Sequence, residues 1–391
     1  MPGNLMSTPP VLERETLMQM AAARAGLSDF GDRWFTEPMD QYLDALNREA
    51  RLTSSGLAAQ TEVIIKGLVS RLRMIEDIRR HPSILDETVE VAGVILGLPR
   101  SGSTIFHRLL ASAPGMTAIR WYEAQNFAPF PGEEPGNPLA RRAYAQAMID
   151  GWLQVAPELA SIHPLDPDAP DEEILILGQM FVSTMLEGMS FVPSFSRWLN
   201  DYDQSRGHQD LEIILKYLQW QVPARRGCKW ILKSPSNLPY TEVAARAFPN
   251  AVLIMTHRDP LDTVPSYLSM EATLYKLGAV IPDPEVGRFW FARLAEWMHR
   301  FEAARERIGE GRFVDVNYRD VTREPLAQAR RVLTRMGLEC DACMDAALDE
   351  FLAGNRREQR PMHEYSASRF GIDQEAIERE FADYRARYLH L

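Results

Sequence analysis

Cysteine is scarce. Cys228, Cys340 and Cys343 are the only three in 391 residues, too few for a disulfide scaffold and in keeping with a reducing compartment. Cys340 and Cys343 have the spacing of a redox pair. No second pair or nearby histidine completes a metal site, so they are expected to be two thiols in a helical stretch. Long apolar runs are missing as well: the most hydrophobic, Val91–Pro99, is far short of the roughly 18 residues of a membrane span. The opening MPGNLMSTPPVLERETL has no basic stretch leading into an apolar one, so no signal peptide is expected and the expected location is cytoplasmic. Positive charge is in deficit, with 43 Lys+Arg against 54 Asp+Glu and a net charge of −11. That balance opposes DNA, RNA or a sulfated polysaccharide as the main partner, but it allows a small anion in a local basic pocket. Repeats of 20–50 residues and low-complexity tracts are not seen either.

What is present is ordinary for a soluble globular chain: 46% hydrophobic and 25% charged residues. The length fits two or three units, or one elaborated α/β domain. Residues 11 to about 80 show helical periodicity in Leu12, Met18, Met20 and Ala21, then Met39, Tyr42, Leu43 and Leu46, then Val63, Ile64, Leu68 and Leu72. Three helices are expected there, and nothing in them carries chemistry. The texture then changes to short apolar runs alternating with helices. Val91–Leu96, Lys229–Leu232, Ala251–Thr256 and Arg312–Val316 read as strands. The first three are followed by helices at Ser103–Ala111, Tyr240–Phe248 and Pro260 to about Lys276. This alternation implies a parallel sheet flanked by helices, with ligands off the carboxyl ends of its strands. A stretch at about 115–225 interrupts the pattern, with helical pieces at Leu139–Val155, Glu172–Leu186 and Leu211–Gln221. It is expected to form an acceptor-binding wall or lid.

The most informative segment runs from Gly97 to Thr104. Its frame is G-x4-G-x-[ST], that of a phosphate loop in which backbone amides and a helix N-terminus cradle anionic oxygens. Ser103 stands where nucleoside triphosphate enzymes have lysine, and the strand at 251–256 ends in His257-Arg258 instead of a metal-binding aspartate. An anion site without metal, countered by arginine and lysine, fits better. Arg258 leaves a strand end and Ser266 follows on the next helix. Together they can grip a second phosphate, although Arg258 could instead pair with Asp259 or Asp262. Two anion sites around one sheet point to a nucleoside carrying phosphates at both ends.

The loop LPRSGST, the stretch RDPLDTVPS and the turn LKSP together resemble sulfotransferases that use 3′-phosphoadenosine 5′-phosphosulfate (PAPS), in particular the bacterial branch of that family. The resemblance covers about 90–390. It implies a P-loop-like three-layer α/β fold, with an N-terminal helical region at 1–88, an α/β domain at 89–391 and the helical insertion within it. It also implies that Arg100, Ser101, Gly102, Ser103 and Thr104 hold the 5′-phosphosulfate, and that Arg258 and Ser266 hold the 3′-phosphate. Lys233 would reach the sulfuryl group or bridging oxygen. Arg360, His363, Tyr365, Ser366, Phe370 and Gly371 resemble a late element of the family that could close over the nucleotide, with Arg356, Arg357 or Arg360 adding charge. Two departures matter. Asn237 stands where the branch often has histidine, so no base is assigned there, and the RKG…GDWK tail of the animal cytosolic enzymes is missing.

Sulfuryl transfer needs an in-line arrangement, charge stabilisation and a base for the acceptor hydroxyl. Two bases compete: Glu123, favoured slightly for its return toward the loop helix, and His163, ahead of the acidic run Asp171-Glu172-Glu173. His107 is expected to sit on a helix face and His257 to make structural hydrogen bonds. Aromatic and methionine residues such as Trp121, Phe127, Met180, Phe181 and Phe195 are expected to be mostly core. Any that line the pocket favour a small hydrophobic hydroxylated acceptor. No metal is expected; a homodimer is one possible state, and the N-terminal helices could either pair subunits or cover the active site. The alternatives are a P-loop kinase or nucleotide hydrolase, and a non-catalytic nucleotide-binding protein of the same fold.

Overall fold

The computed structural model describes residues 11–134, 136–157, 165–355 and 366–389. Five parallel strands form its sheet: β1 (Glu90–Gly97), β2 (Met116–Thr117), β3 (Lys229–Lys233), β4 (Val252–His257) and β5 (Phe313–Asn317), in the order β2-β3-β1-β4-β5. A strand covered on both faces must be apolar on both, and β1 is buried from Val91 to Gly97. Its pairing with β3 slips between Val91 and Gly93. The extra residue puts Val91 and Val94 on the same side, three positions apart, with Leu96 following. Ala92 and Ile95 face the other way.

The two faces bury different helices. On one, Val94, Leu96, Trp230, Leu232, Leu253 and Met255 share a core with the helices Ser205–Gln221, Pro260–Lys276 and Asp283–Ile308. The same core takes in Leu17, Met39, Tyr42, Leu68 and Leu72 from the N-terminal helices Arg14–Ala25, Thr36–Glu49 and Ser54–Arg80, so that helical layer is packed onto the sheet. On the other face, Ile95, Ile231, Ile254 and Val316 pack against Phe106, Leu109 and Leu110 of the helix Ser103–Ala111 and against Val332, Leu333 and Leu348. The result is the expected three-layer α/β arrangement.

Four strands and the helices after β1, β3 and β4 lie within a residue or so of their expected places. Three features differ, one of them the helix expected at Leu211–Gln221, which begins at Ser205. The two-residue edge strand β2 is too short to leave a pattern. The helix expected over Glu172–Leu186 is two short ones, Ile174–Gln179 and Met185–Met189. Between them Phe181 turns left-handed at φ 62°, and Ser183 Oγ donates to the Ile174 carbonyl while accepting from Met185 N. Local side-chain bonding of this kind competes with continued helix. Trp121, Phe127, Met180, Phe181 and Phe195 are all buried.

Candidate active site

The carboxyl ends of β3, β1 and β4 lie side by side, since Ile95 pairs with Lys233 and Gly97 with Thr256. The chain turns out of β1 through Gly97 at φ 147°, where a Cβ would stand 2.2 Å from Thr256 Oγ1; only glycine fits against the neighbouring strand. Thr256 Oγ1 donates to the Leu96 carbonyl (3.0 Å), so the 2.7 Å bond between Ser101 Oγ and Thr256 Oγ1 takes its proton from Ser101. These two bonds anchor the loop to β4. Gly102, at φ 87°, opens the helix Ser103–Ala111, and a Cβ there would strike the Tyr318 ring at 2.5 Å. The amides of the first turn face out of a helix N-terminus, which makes the loop an anion cradle.

Two arginines stand over it. Arg100, left-handed at φ 71°, donates from Nε to Ser266 Oγ (3.1 Å). Arg258 donates from Nη1 to the Arg100 carbonyl (3.2 Å) and lies over the Tyr318 ring at 4.4 Å. Its contact with Asp262 is long, 3.4 Å, and half open to water, a pairing of small worth. Arg258, Asp259, Asp262, Asn317, Tyr318, Arg319 and Leu389 line one cleft. A wider cleft of about 350 Å³, lined by Ser83, Glu87, Gln219 and Arg226 among others, lies at the amino ends of β1 and β3. It faces away from the loop, and ligands of parallel sheets sit at the other end.

Lys233, 1% exposed, closes the third side. Its Nζ donates to Thr104 Oγ1 (3.2 Å) and forms an ion pair with Glu172. Glu173 lies beneath, accepting from Lys233 N (2.9 Å) and from Asn237 Nδ2 (2.6 Å). Burial pushes the Glu173 carboxyl up to about 7 against the pull of these donors. Burial also raises Glu172, with the Lys233 charge opposing and Asp171 adding to the rise. Its side chain keeps 14% exposure. A carboxylate held above its usual range, beside a cation and an anion cradle, is equipped for proton transfer next to developing negative charge.

The profile of the Sulfotransferase family matches residues 94–342, more than half of the chain and all of this constellation. The chain belongs to the sulfotransferase family. This sulfotransferase is 27% identical over 156 residues to the omega-hydroxy-beta-dihydromenaquinone-9 sulfotransferase Stf3 of Mycobacterium bovis, a match that spans 37% of this chain and 39% of that relative. The crystal structure of sulfotransferase STF1 from Mycobacterium tuberculosis superposes with a TM-score of 0.82 at 24% identity, covering 95% of this chain and 99% of that one. STF9 from Mycobacterium avium gives 0.82 at 25% identity, covering 98% of each.

In this sulfotransferase the structure brings together Arg100, Ser101, Gly102, Ser103, Thr104, Lys233, Arg258 and Ser266. Glu123, slightly preferred as the base, sits in a buried ion pair with Arg225 instead. It is 1% exposed, and Oε2 accepts from Arg120 N (2.9 Å) and Arg225 Nη2 (2.9 Å). Tyr122 Oη donates to Oε1 (3.0 Å). Burial alone would raise its pKa, but Arg225 beside it and the Arg120 amide hold it below the usual range. A carboxylate so stabilised and so fully bonded is a poor proton acceptor. Its expected effect is on stability: Glu123→Gln leaves Arg225 buried without a counter-charge and should cost about 3–5 kcal/mol. Urea unfolding checks this, and an unchanged midpoint would show the pair to carry little.

His163 and Arg360, with Arg356, Arg357, His363 and Tyr365, lie outside the described residues. His107 is fully buried 3.4 Å from the Ile231 carbonyl, its pKa driven well down by burial and by Lys233. His257 makes structural hydrogen bonds. Sequence reasoning missed Glu172 and Glu173 as site residues, although the run Asp171-Glu172-Glu173 was visible. It also missed the work of Asn237, which holds Glu173, and the ring of Tyr318 beside the loop. Among the described residues no group of three or more His, Cys, Asp or Glu stands ready to hold a metal, and no helix is long and apolar enough to cross a membrane.

Proposed function

We propose that this sulfotransferase transfers the sulfuryl group of PAPS to a hydroxyl of a small hydrophobic acceptor. The observation that carries this is the linkage of two cationic centres across one loop: Arg100 bonded to Ser266, and Arg258 bonded to the Arg100 carbonyl. A nucleotide with phosphate groups at both ends suits that pair. The loop amides and Arg100 would hold the 5′-phosphosulfate, with Ser103 and Thr104 as hydroxyl donors, while Arg258 and Ser266 would hold the 3′-phosphate.

Lys233 would turn from Glu172 to the sulfuryl or bridging oxygen, where charge develops. Glu172 would then accept the proton of the acceptor hydroxyl as its oxygen bonds to sulfur. The bond from sulfur to the bridging oxygen breaks, and adenosine 3′,5′-bisphosphate leaves with the bonding electrons. Glu173 and Asn237 would keep the Lys233 strand end in place. A hydrophobic acceptor is supported by the omega-hydroxy menaquinone derivative in the name of the partly matching relative.

The test is calorimetric titration with adenosine 3′,5′-bisphosphate without metal, beside ATP with Mg²⁺. Micromolar binding of the bisphosphate, weakened at least tenfold in Arg258→Ala, is expected, since a charged hydrogen bond to phosphate is worth about 1.5–3 kcal/mol. Binding of ATP with Mg²⁺ and none of the bisphosphate would overturn the proposal in favour of a kinase.

A further inference from the structure

Arg258 is the middle residue of His257-Arg258-Asp259, and both of its neighbours are held by the last described helix, Ala382–Tyr388. Asp259, which caps the helix Pro260–Lys276 through Leu261 N, also accepts from Arg385 Nη2 (3.1 Å) and lies 3.1 Å from its Nε. His257 is 1% exposed, with Nδ1 3.1 Å from Tyr384 Oη and Nε2 2.8 Å from Asp315 Oδ1. Its ring stacks on Tyr388, centroids 4.5 Å apart and planes 15° from parallel. Leu389, just beyond the helix, lines the Arg258 cleft.

The protons in this network follow from its charges. Asp315 is gripped by Arg305 Nη1 (2.6 Å) and Nη2 (2.8 Å), so it stays a carboxylate and can only accept. His257 Nε2–H therefore donates to it. Burial disfavours the imidazolium, which leaves Nδ1 as an acceptor for the Tyr384 O–H. Each group has one role, and the chain of bonds runs from Arg305 through Asp315 and His257 to Tyr384, with His257 adjoining Arg258 in the chain.

We infer that the C-terminal helix is a positioning element for Arg258, and that Tyr384 and Arg385 set the preference of this site for a nucleotide bearing a 3′-phosphate. Neither residue touches the reacting atoms. They fix the turn at the end of β4, so the Arg258 guanidinium meets a phosphate without first having to be ordered. The inference rests on the nucleotide proposed above.

The experiment compares Kd for adenosine 3′,5′-bisphosphate and for adenosine 5′-monophosphate, on the full chain and its Tyr384→Phe and Arg385→Gln variants. In the variants the preference for the bisphosphate should fall about tenfold, with the monophosphate Kd unmoved. In turnover the donor KM should rise while kcat at saturating donor holds. Equal weakening of both nucleotides, or a preserved preference, would overturn the inference. Arg385 is partly exposed, so its variant decides between these outcomes if the Tyr384 variant does not fold. A wild-type chain with no preference for the bisphosphate would instead mean that the nucleotide proposal itself has failed.

Discussion

Changing Glu172 to glutamine is expected to lower kcat by about 10²–10⁴, the range a positioned general base supplies. The amide keeps the volume and one oxygen of the carboxyl, so the fold and the bisphosphate Kd should hold within a few-fold. The base must be ionised to accept a proton, and burial raises the Glu172 pKa. The rate should therefore rise with pH along a limb above the usual carboxylate range, and that limb should vanish in the glutamine variant. Glu172→Asp should recover part of the rate, because it restores a carboxylate at a different reach. A glutamine variant with wild-type kcat and an intact limb would put the base elsewhere, with His163 the next to test.

Lys233→Met should lower kcat by about 10²–10³, the usual cost of removing one donor aimed at developing charge. Methionine keeps the stem of the buried side chain, so the loss measures the ammonium group. The variant also leaves Glu172 without the cation that opposes its rise, so any pH limb that survives should move upward. The two residues touch, and their effects should not add: the double variant is expected to fall little below the slower single one. Strict additivity of the two losses would show that they act on separate steps.

The elements around the glycine loop after β1 were legible because each is written in consecutive residues. A β-branched run, a glycine frame and a helix start give β1, the cradle and the helix after it. Arg258 and Ser266 were legible because they flank one strand–helix turn. The pairing of Glu172 with Lys233 was not, because the two are distant in sequence and meet only in the folded chain. Glu123 shows the same thing in reverse: its position along the chain pointed toward the pocket, while Arg225 from the far end of the insertion pairs with its carboxylate. The break at Phe181 was hidden because Ile174–Leu186 is apolar enough to read as one buried helix. The C-terminal clamp on β4 depends on rings and charges that carry no motif.

Arg100 holds a left-handed backbone, a conformation that costs most residues about 1–2 kcal/mol and glycine almost nothing. Stability alone would therefore favour glycine at this position. The arginine is kept against that gradient, and its side chain reaches across to Ser266. The most stable version of this loop and the version that grips anions are different sequences. A search for thermostable variants would drift toward glycine at position 100 and discard the guanidinium along the way, so screens of this scaffold need selection for turnover alongside heat resistance.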